Sequence, residues 1–366
     1  MEAVYYGIDL HSSHMTSHIV ERNKKAQNRS TGKIYLNELD TKFIPYLDKR
    51  CYLCVEASTG TYSFVKKVAP YVKKILVINP IDFKALYCTN KKTDKIDAKK
   101  LANRLKYHIE AEDEDDDFPE IYIPKEMIIK IRKLFSTYKL LKQNSTSLIN
   151  RIHSILKSNL ILIERKNVLK IVENKIENWE LDKYDKFQIK LLSDQIKSLE
   201  SQANEIKNKI LEAGYSAYED EIKILMSIKG ISDFVACALI ADIADINRFK
   251  NYKKLASYLR AAPRVDSSGD TTHLGKMSKK GRKLAFEMLL QGLQHIIKSN
   301  PEFQSFYYKK TIGKGKNKVR SALVRKTIVA IYYMLKNKEL YKYCDDKCYH
   351  TKLKEFERKK INFQMA

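Results

Sequence analysis

Four carboxylates in the N-terminal part of the chain have the arrangement of a candidate metal site. Asp9 ends the stretch VYYGID, and Glu56 ends CYLCVE. Asp94 and Asp97 stand three residues apart in KTDKIDAKKLANRLK. Four acids gathered at one place repel one another unless divalent cations neutralise them. Two Mg²⁺ ions held in this way could clamp a phosphodiester and orient its attacking and leaving oxygens. A surface salt bridge to a nearby lysine is the competing interpretation for each acid taken singly.

The flanking sequence predicts elements that could bring these acids together. Residues 1–110 alternate between strand-like stretches (VYYGIDLH, MTSHIVER, GKIYLNEL, RCYLCVEAS, KKILVINP) and helix-like ones (ELDTKFIPYLDK, TYSFVKKVAPY, KTDKIDAKKLANRLK). This alternation predicts an α/β or mixed-sheet domain. Thr93 is the predicted N-cap of the last helix, whose first turn carries two acids on one face. Strand-end acids can converge with a helix that lies across the sheet.

Residues beyond 110 are predicted to be mainly helical. The acidic block 111–118 indicates a linker or loop, and 126–215 indicates a long helical arm. Heptad-like spacing in the arm is carried by Ile189, Leu192, Ile196, Leu199, Ala203 and Ile206. A self-associating coiled coil and an antiparallel helix pair both fit that spacing. We predict a domain at 1–110, linker and arm at 111–215, a mainly α domain at 216–320 and a basic helical tail at 321–366.

Two stretches of the third region are candidates for contact with phosphate. SIKGISDFVACALIADI predicts a helix-hairpin-helix segment with a tight turn at Gly230, beside Lys229. Such a turn offers backbone N–H groups to a phosphate without reading bases. A plain helix pair in the core is the alternative. RVDSSGDTTHLGKMSKKG follows as a predicted loop, and from composition alone its Ser-Gly pair indicates only a turn.

Charge narrows the class of partner. The chain has 69 Lys and Arg against 44 Asp and Glu, a net charge of +25. This excess suits a polyanion, with nucleic acid first and an acidic membrane surface second. The sequence lacks a signal peptide and any apolar run of about 20 residues, so we expect a soluble intracellular protein. Cys51 and Cys54 fall on opposite faces of a predicted strand, which argues against a shared metal. The cluster Cys344, Cys348 and His350 lacks a fourth zinc ligand.

Several of these stretches together resemble one known family. The stretches GIDLHSSH, VEASTGTYSFVKK, VINPIDFKAL and KKTDKIDAKKLANRL, in this order, look like the N-terminal domain of the IS110-family transposases. The resemblance implies a RuvC-like, RNase H-type fold whose Mg²⁺-binding acids run Asp-Glu-Asp-Asp. The matching positions are Asp9, Glu56, Asp94 and Asp97.

The third region resembles the C-terminal domain of the same family. The similar stretches are ILMSIKGISDFVACALIADIADINRFKNYKKLASYLRAAPRVDSSGD and HLGKMSKKGRK. Family members are implied to use a serine here as nucleophile, and Ser268 matches it best, with Ser267 as the alternative. The basic residues expected to stabilise the transition state or anchor phosphates are Arg264, Lys276, Lys279, Lys280 and Arg282.

The chain departs from the family pattern at positions that leave these groups intact. Ser12 replaces a common Lys, Asp270 replaces a common Gly after the Ser-Gly pair, and RAAPR replaces Gly-Leu-x-Pro-Arg. Asp270 puts a carboxylate near Ser268, where it could hinder phosphate approach or mark a diverged copy.

The resemblance implies a recombinase of a mobile element that forms a transient phosphoserine link to DNA. It also implies donor and target DNA, a structured guide RNA, dimers pairing into tetramers, and a place in the prokaryotic cytoplasm at the nucleoid, with no membrane partner. A junction-resolving nuclease that uses water as nucleophile is one alternative. A non-catalytic nucleic-acid scaffold is another. A requirement for Mg²⁺ separates the scaffold from the enzymes, and a covalent adduct separates the recombinase from the nuclease.

Overall fold

The computed structural model describes residues 2–21, 29–86, 93–111, 118–168, 176–268, 271–278 and 280–365. The chain divides into two compact units, Met1–Ile123 and Pro124–Ala366. The predicted α/β domain lies in the first unit, and the arm, the mainly α region and the tail lie in the second. The observed mixture of an α/β part and a mainly helical part confirms the coarse fold class.

The first unit is built on a mixed sheet. Its strands are β1 Val4–Leu10, β2 His14–Glu21, β3 Arg29–Ser30, β4 Ile34–Tyr35, β5 Cys51–Glu56 and β6 Lys74–Ile78. The order is β3-β2-β1-β5-β6, with β4 paired to β2. β1 runs antiparallel to β2 and parallel to β5, which in turn runs parallel to β6. The helices are α1 Leu39–Lys42, α2 Thr61–Val68, α3 Pro80–Leu86 and α4 Asp94–Glu110, with 3₁₀ turns at Leu36–Glu38, Ile44–Tyr46 and Ala69–Tyr71.

Alternating side chains give this sheet two apolar faces. Ile8, Leu53 and Val55 belong to one buried cluster, whereas Tyr5 and Cys54 belong to a second cluster with residues of α4. Cys51 and Cys54 fall in different clusters, which confirms that they face opposite sides of their strand.

Gly7 lets α4 approach β1 closely. A Cβ at Gly7 would collide with the Ala98 carbonyl oxygen and the Ala102 amide nitrogen, and would lie 2.8 Å from Leu101 Cβ. No side chain larger than hydrogen fits there, so helix and strand pack backbone to backbone. The N-terminal turn of α4 is thereby held on the sheet.

Two predicted elements of this unit are wrong in extent. The predicted strand GKIYLNEL is paired only at Ile34–Tyr35, because the chain then turns and buries Leu39. The predicted helix ELDTKFIPYLDK is broken between α1 and the Ile44–Tyr46 turn. Pro45 explains the break, since it lacks an N–H and disfavours helical geometry in the residue before it.

An antiparallel helix pair forms the arm of the second unit. Its helices are α5 Glu126–Ser158 and α6 Lys183–Ala217. Ile152 and Leu156, late in α5, share a buried cluster with Ile189 and Ile196, early in α6. A second cluster contains the start of α5 and the end of α6. The heptad-like spacing therefore has a partner inside the chain, which confirms the helix-pair alternative for this surface.

The rest of the second unit is helical around one large core. Its helices are α7 Glu219–Met226, α8 Asp233–Ile243, α9 Tyr252–Tyr258, α10 Leu284–Ser299, α11 Pro301–Thr311, α12 Lys316–Asn337 and α13 Asp346–Met365, with 3₁₀ turns at Arg165–Asn167, Ile176–Asn178 and Ile246–Arg248. Strands β7 Pro263–Ser268 and β8 Thr271–Met277 form an antiparallel pair. Across the described ranges, the helices are too short or too polar to span a bilayer.

Candidate functional site

The structure brings strand-end acids to the face of the sheet that α4 covers. The register pairs Ile8 of β1 with Val55 of β5, so Asp9 and Glu56 are the next residues along two adjacent parallel strands. Since side chains alternate, these two acids share the face of Tyr5 and Cys54, which pack with α4.

The beginning of α4 supplies the other two acids. Thr93 caps the helix, its side chain accepting a hydrogen bond from the Ile96 amide, which confirms the predicted N-cap. Asp94 and Asp97 lie in the first turn and are both half-buried. Lys100 Nζ lies 3.7 Å from Asp97 Oδ1, so a salt bridge accounts for part of the environment of this acid.

Electrostatics show that three of these acids are close neighbours. Burial raises the pKa of Asp9, and the negative charges of Asp94 and Asp97 raise it further, whereas the adjacent His11 imidazole lowers it. Three carboxylates within interaction range are a hard-oxygen donor set of the kind that Mg²⁺ prefers. A bound cation would remove the repulsion that raises the Asp9 pKa, so these residues fit the implied metal.

The sequence prediction did not include two histidines at this site. His11 Nε2 lies 3.4 Å from Asp9 Oδ2 and 3.5 Å from Asp94 Oδ2, and His14 Nε2 lies 4.0 Å from Asp94 Oδ2. The signal was present in the pattern HSSH, because two residues separated by a two-residue hairpin loop stand opposite each other on one face of the sheet.

The serine segment is a strand pair, so its prediction as a loop is wrong. Ser268 ends β7 and pairs with Thr271, the first residue of β8. Two residues, Gly269 and Asp270, separate the paired ends in the sequence, and a two-residue link that begins with Gly is typical of a hairpin. Gly269, Asp270 and Lys279 lie outside the described residues.

The basic residues that were predicted to contact phosphate in this region differ in their exposure and in their partners. The side chains of Ser267, Ser268 and Lys276 lie outside the described part, although their backbones belong to the strand pair. Arg264 and Lys280 are exposed. Arg282 Nε donates to the fully buried Asp242, so this guanidinium already has an internal partner.

The predicted hairpin around Gly230 is present between α7 and α8. Gly230 has φ +100°, which only glycine adopts readily. A Cβ there would lie 2.9 Å from both the Gly292 carbonyl oxygen and His295 Cβ of α10. Ser232 caps α8 by accepting from the Val235 amide. Lys229 Nζ contacts Asp345 Oδ2 at 2.7 Å.

Lys352 of α13 clamps this hairpin from its carbonyl side. Its ammonium donates to the carbonyl oxygens of Met226, Ile228 and Ile231 at 2.7, 2.9 and 2.9 Å. Burial lowers the pKa of Lys352, so its charge is retained at a cost that these three hydrogen bonds offset. The amides of Ile228 and Ile231 donate to the carbonyl oxygens of Leu225 and Ile228, so these two N–H groups are used within the turn.

Lys359, two turns further along α13, reinforces the same hairpin. Its Nζ donates to Asp233 Oδ2 at 2.6 Å, and the Tyr215 hydroxyl donates to the same oxygen at 2.6 Å. Burial by itself would raise the pKa of Asp233, but these two donors outweigh it and hold the pKa below its ordinary value. The basic tail is therefore part of the hairpin structure.

Replacing Lys352 by Met is expected to destabilise the second unit by about 2–4 kcal/mol, since it removes a charged donor from three carbonyl groups, of which that of Ile228 keeps the Ile231 amide as a partner. Urea unfolding measures this loss. Lys354→Met is the matched control, since Lys354 is exposed on the same helix. Equal losses in both variants would contradict the clamp.

Comparison with known proteins bears on the second unit. Residues 222–308, from α7 into α11, match the model of the transposase IS116/IS110/IS902 family. The transposase for insertion sequence element IS1111A of Coxiella burnetii is 28% identical over 139 residues, which cover 34% of this chain and 38% of the relative. A probable family 20 transposase of Pseudomonas aeruginosa is 25% identical over 107 residues, which cover 29% of this chain and 31% of the relative.

The matched segments thus span about a third of each relative. The family model covers the Gly230 hairpin, the strand pair with Ser268 and the start of α10, which are the stretches that carried the resemblance to the C-terminal domain. These matches confirm the predicted resemblance of the chain to the IS110-family transposases.

Proposed function

We propose that this protein is a DNA transposase of an insertion element that joins donor and target DNA through a transient phosphoserine link. The convergence of Asp9, Asp94 and Asp97 on one face of the sheet is the observation that carries the proposal. Asp94 and Asp97 raise the pKa of half-buried Asp9, which means that they repel its charge. Acids that served only to form surface salt bridges would not need to lie so close to one another. The match of residues 222–308 to a transposase family supports the same function.

In this proposal the first unit is a RuvC-like domain, and Asp9, Glu56, Asp94 and Asp97 hold Mg²⁺. The strand order supports the assignment, because an antiparallel group continues into two parallel strands whose ends carry acids. Bound Mg²⁺ would polarise the phosphate oxygens and stabilise the charge that develops on them. The protein side chains hold their geometry through the Thr93 cap and the Gly7 contact.

Ser268 is the proposed nucleophile of the second unit. Its Oγ forms a bond to phosphorus while the bond from phosphorus to the departing deoxyribose oxygen breaks, and the hydroxyl proton ends on that oxygen. Attack by a hydroxyl of another strand then forms the new phosphodiester, and the proton returns to the released serine. Each step exchanges one P–O bond for another, so no nucleotide hydrolysis is needed. Exposed Arg264 and Lys280 are proposed to bind the flanking phosphates.

The proposed partners are donor and target DNA, a structured guide RNA and further copies of this chain. The net charge of +25 supports binding to both nucleic acids. Self-association through the arm is supported by exposed apolar side chains around its tip: Leu160, Leu162, Tyr184 and Phe187. These exposed side chains suit a contact between copies at the ends of the helices. The heptad stripe of α6 does not, because it is already buried against α5.

Adduct trapping tests this function. Protein, RNA from the flanking region of the element, labelled donor and target DNA, and Mg²⁺ are mixed, denatured and separated on a gel. We expect a protease-sensitive shifted DNA band that disappears in Ser268→Ala. Ser257→Ala, an exposed serine of α9, is the matched control and should keep the band. Loss of the band in Ser267→Ala alone would move the nucleophile by one residue.

Cleaved DNA without a trapped band would contradict the serine mechanism. If Ser268→Ala also cut as fast as wild type, water would be the nucleophile and the protein a nuclease. DNA binding without cleavage at any Mg²⁺ concentration would indicate the scaffold alternative.

A further inference from the structure

The turn between β1 and β2 places two imidazoles side by side at the sheet edge. Leu10 pairs with Met15, so His11 and His14 are the next opposed pair, and the His11 amide donates to the His14 carbonyl at 2.9 Å. The rings stack with centroids 4.7 Å apart and planes 28° apart. By strand alternation His11 shares the face of Asp9. Both rings therefore face the start of α4.

The nitrogen atoms that face Asp94 are available as ligands. The Ser13 hydroxyl shares a hydrogen bond of 3.2 Å with His14 Nδ1, which orients the ring with Nε2 toward the acid. Within the described part of the chain, His14 Nε2 is buried and has no hydrogen-bond partner. The distance of 4.0 Å from His14 Nε2 to Asp94 Oδ2 is too long for a hydrogen bond. A hydrogen bond on the other ring nitrogen is the usual support of a metal-binding imidazole.

The distances among these atoms are those of a coordination shell. Ligand atoms of His11, His14 and Asp94 all lie within 4.8 Å of one another. Nitrogen and oxygen ligands about 2.0–2.2 Å from a tetrahedral ion lie about 3.4 Å apart. The separations of 3.4 Å from His11 to Asp9 and 3.5 Å from His11 to Asp94 are close to this value. His14 Nε2 lies somewhat farther from Asp94 Oδ2, at 4.0 Å.

We propose that His11, His14 and Asp94 form a binding site for a transition-metal ion of the Zn²⁺ or Co²⁺ class, with Asp9 or water completing the shell. Imidazole suits these ions, whereas Mg²⁺ prefers oxygen ligands. The side chains of His11 and Asp94 are 40% and 42% exposed, so the ion has a path of entry. The site goes beyond the proposed DNA chemistry and does not depend on it, although Asp94 is shared with the proposed Mg²⁺ site.

Titration of the metal-free full-length protein with Co²⁺ tests the site. Imidazole coordination gives Co²⁺ a characteristic visible absorption, which Zn²⁺ should abolish. We expect the Co²⁺ dissociation constant to rise at least about 10-fold in His14→Gln and in His11→Gln. Ser12→Ala, in the same turn and exposed, should bind as wild type does. Thermal unfolding in chelator shows whether each variant is folded before it is titrated.

Two further variants separate this site from other metal-binding groups. Asp97→Asn should retain Co²⁺ binding while losing Mg²⁺-dependent DNA cleavage, so failure of the DNA chemistry would leave this inference standing. His350→Gln should bind Co²⁺ normally, which excludes the Cys344 and Cys348 segment as its source. Absence of the Co²⁺ absorption in wild type, or its survival unchanged in both turn variants, would overturn the proposal.

Discussion

Asp9→Asn is expected to reduce Mg²⁺-dependent DNA cleavage at least about 100-fold while leaving the metal-free protein as stable as wild type or more stable. Asn has nearly the shape of Asp but lacks the negative charge with which a carboxylate neutralises a bound cation. Burial and the charges of Asp94 and Asp97 raise the pKa of Asp9, so its ionised form is disfavoured in the folded protein. Removing that charge removes both the ligand and the repulsion.

The sign of the stability effect follows from the direction of this pKa shift. A carboxyl whose folded pKa is raised contributes stability below its ordinary pKa of 3.8, and that contribution is lost as the pH rises through the higher folded value. At pH 7 without metal, the ionised Asp9 is therefore a net cost to the fold. Addition of Mg²⁺ should raise the unfolding temperature of wild type but not of Asp9→Asn.

Thermal unfolding in chelator and in Mg²⁺, beside a DNA cleavage assay, measures both parts of this prediction. Asp40→Asn is the matched control, because Asp40 is an exposed acid of the same unit that pairs with Lys67 in an exposed contact of 2.7 Å. It should leave cleavage and the Mg²⁺ response unchanged. A large loss of metal-free stability in Asp9→Asn would show that Asp9 is a structural residue.

Gly7→Ala is expected to disrupt the first unit by about 3 kcal/mol or more. The added methyl group would collide with backbone atoms of Ala98 and Ala102, which cannot rotate aside as a side chain can. Helix α4 would have to move off β1, and Asp94 and Asp97 would move with it. We therefore expect loss of Mg²⁺ binding together with loss of stability.

Hydrogen exchange resolved along the chain is the suitable measurement, because two units need not unfold in one step. Protection should fall in β1, β5 and α4, while the helices of the second unit exchange as in wild type. Gly32→Ala is the matched control, since a Cβ at Gly32 meets nothing within 4 Å. Unchanged protection in Gly7→Ala would mean that the helix and strand have room to separate without loss of packing.

Local patterns in the sequence determined the elements that carry the acids. Short runs rich in aromatic and β-branched residues indicated β1 and β5, and the side chain of Thr93 indicated where α4 begins. These features could be predicted because each depends on neighbours a few residues away. The Gly230 turn was predictable for the same reason, as a backbone with positive φ selects for glycine.

The same patterns failed where a local preference competes with a more distant contact. The Ser-Gly pair favours a turn, and composition alone did not indicate that the strands on either side pair with each other. The heptad-like spacing in α6 specified a buried stripe but did not identify what buries it. Only the folded chain shows that α5 does so, since packing partners far apart in sequence leave no periodic signal.

The sequence by itself determined which residues could bind metal, and the tertiary structure decided which of them meet. Asp9, Asp94 and Asp97 were identifiable as acids with suitable spacing, but their mutual effect on pKa depends on Gly7 letting α4 lie against β1. The pattern HSSH carried a signal that His11 and His14 stand opposite each other, but their approach to Asp94 and the Lys352 clamp became evident only from the fold. Metal coordination and the hydrogen bonds of a buried ammonium both require atoms to lie within a few ångströms of one another. Only the folded backbone sets such distances between residues that are remote in the chain.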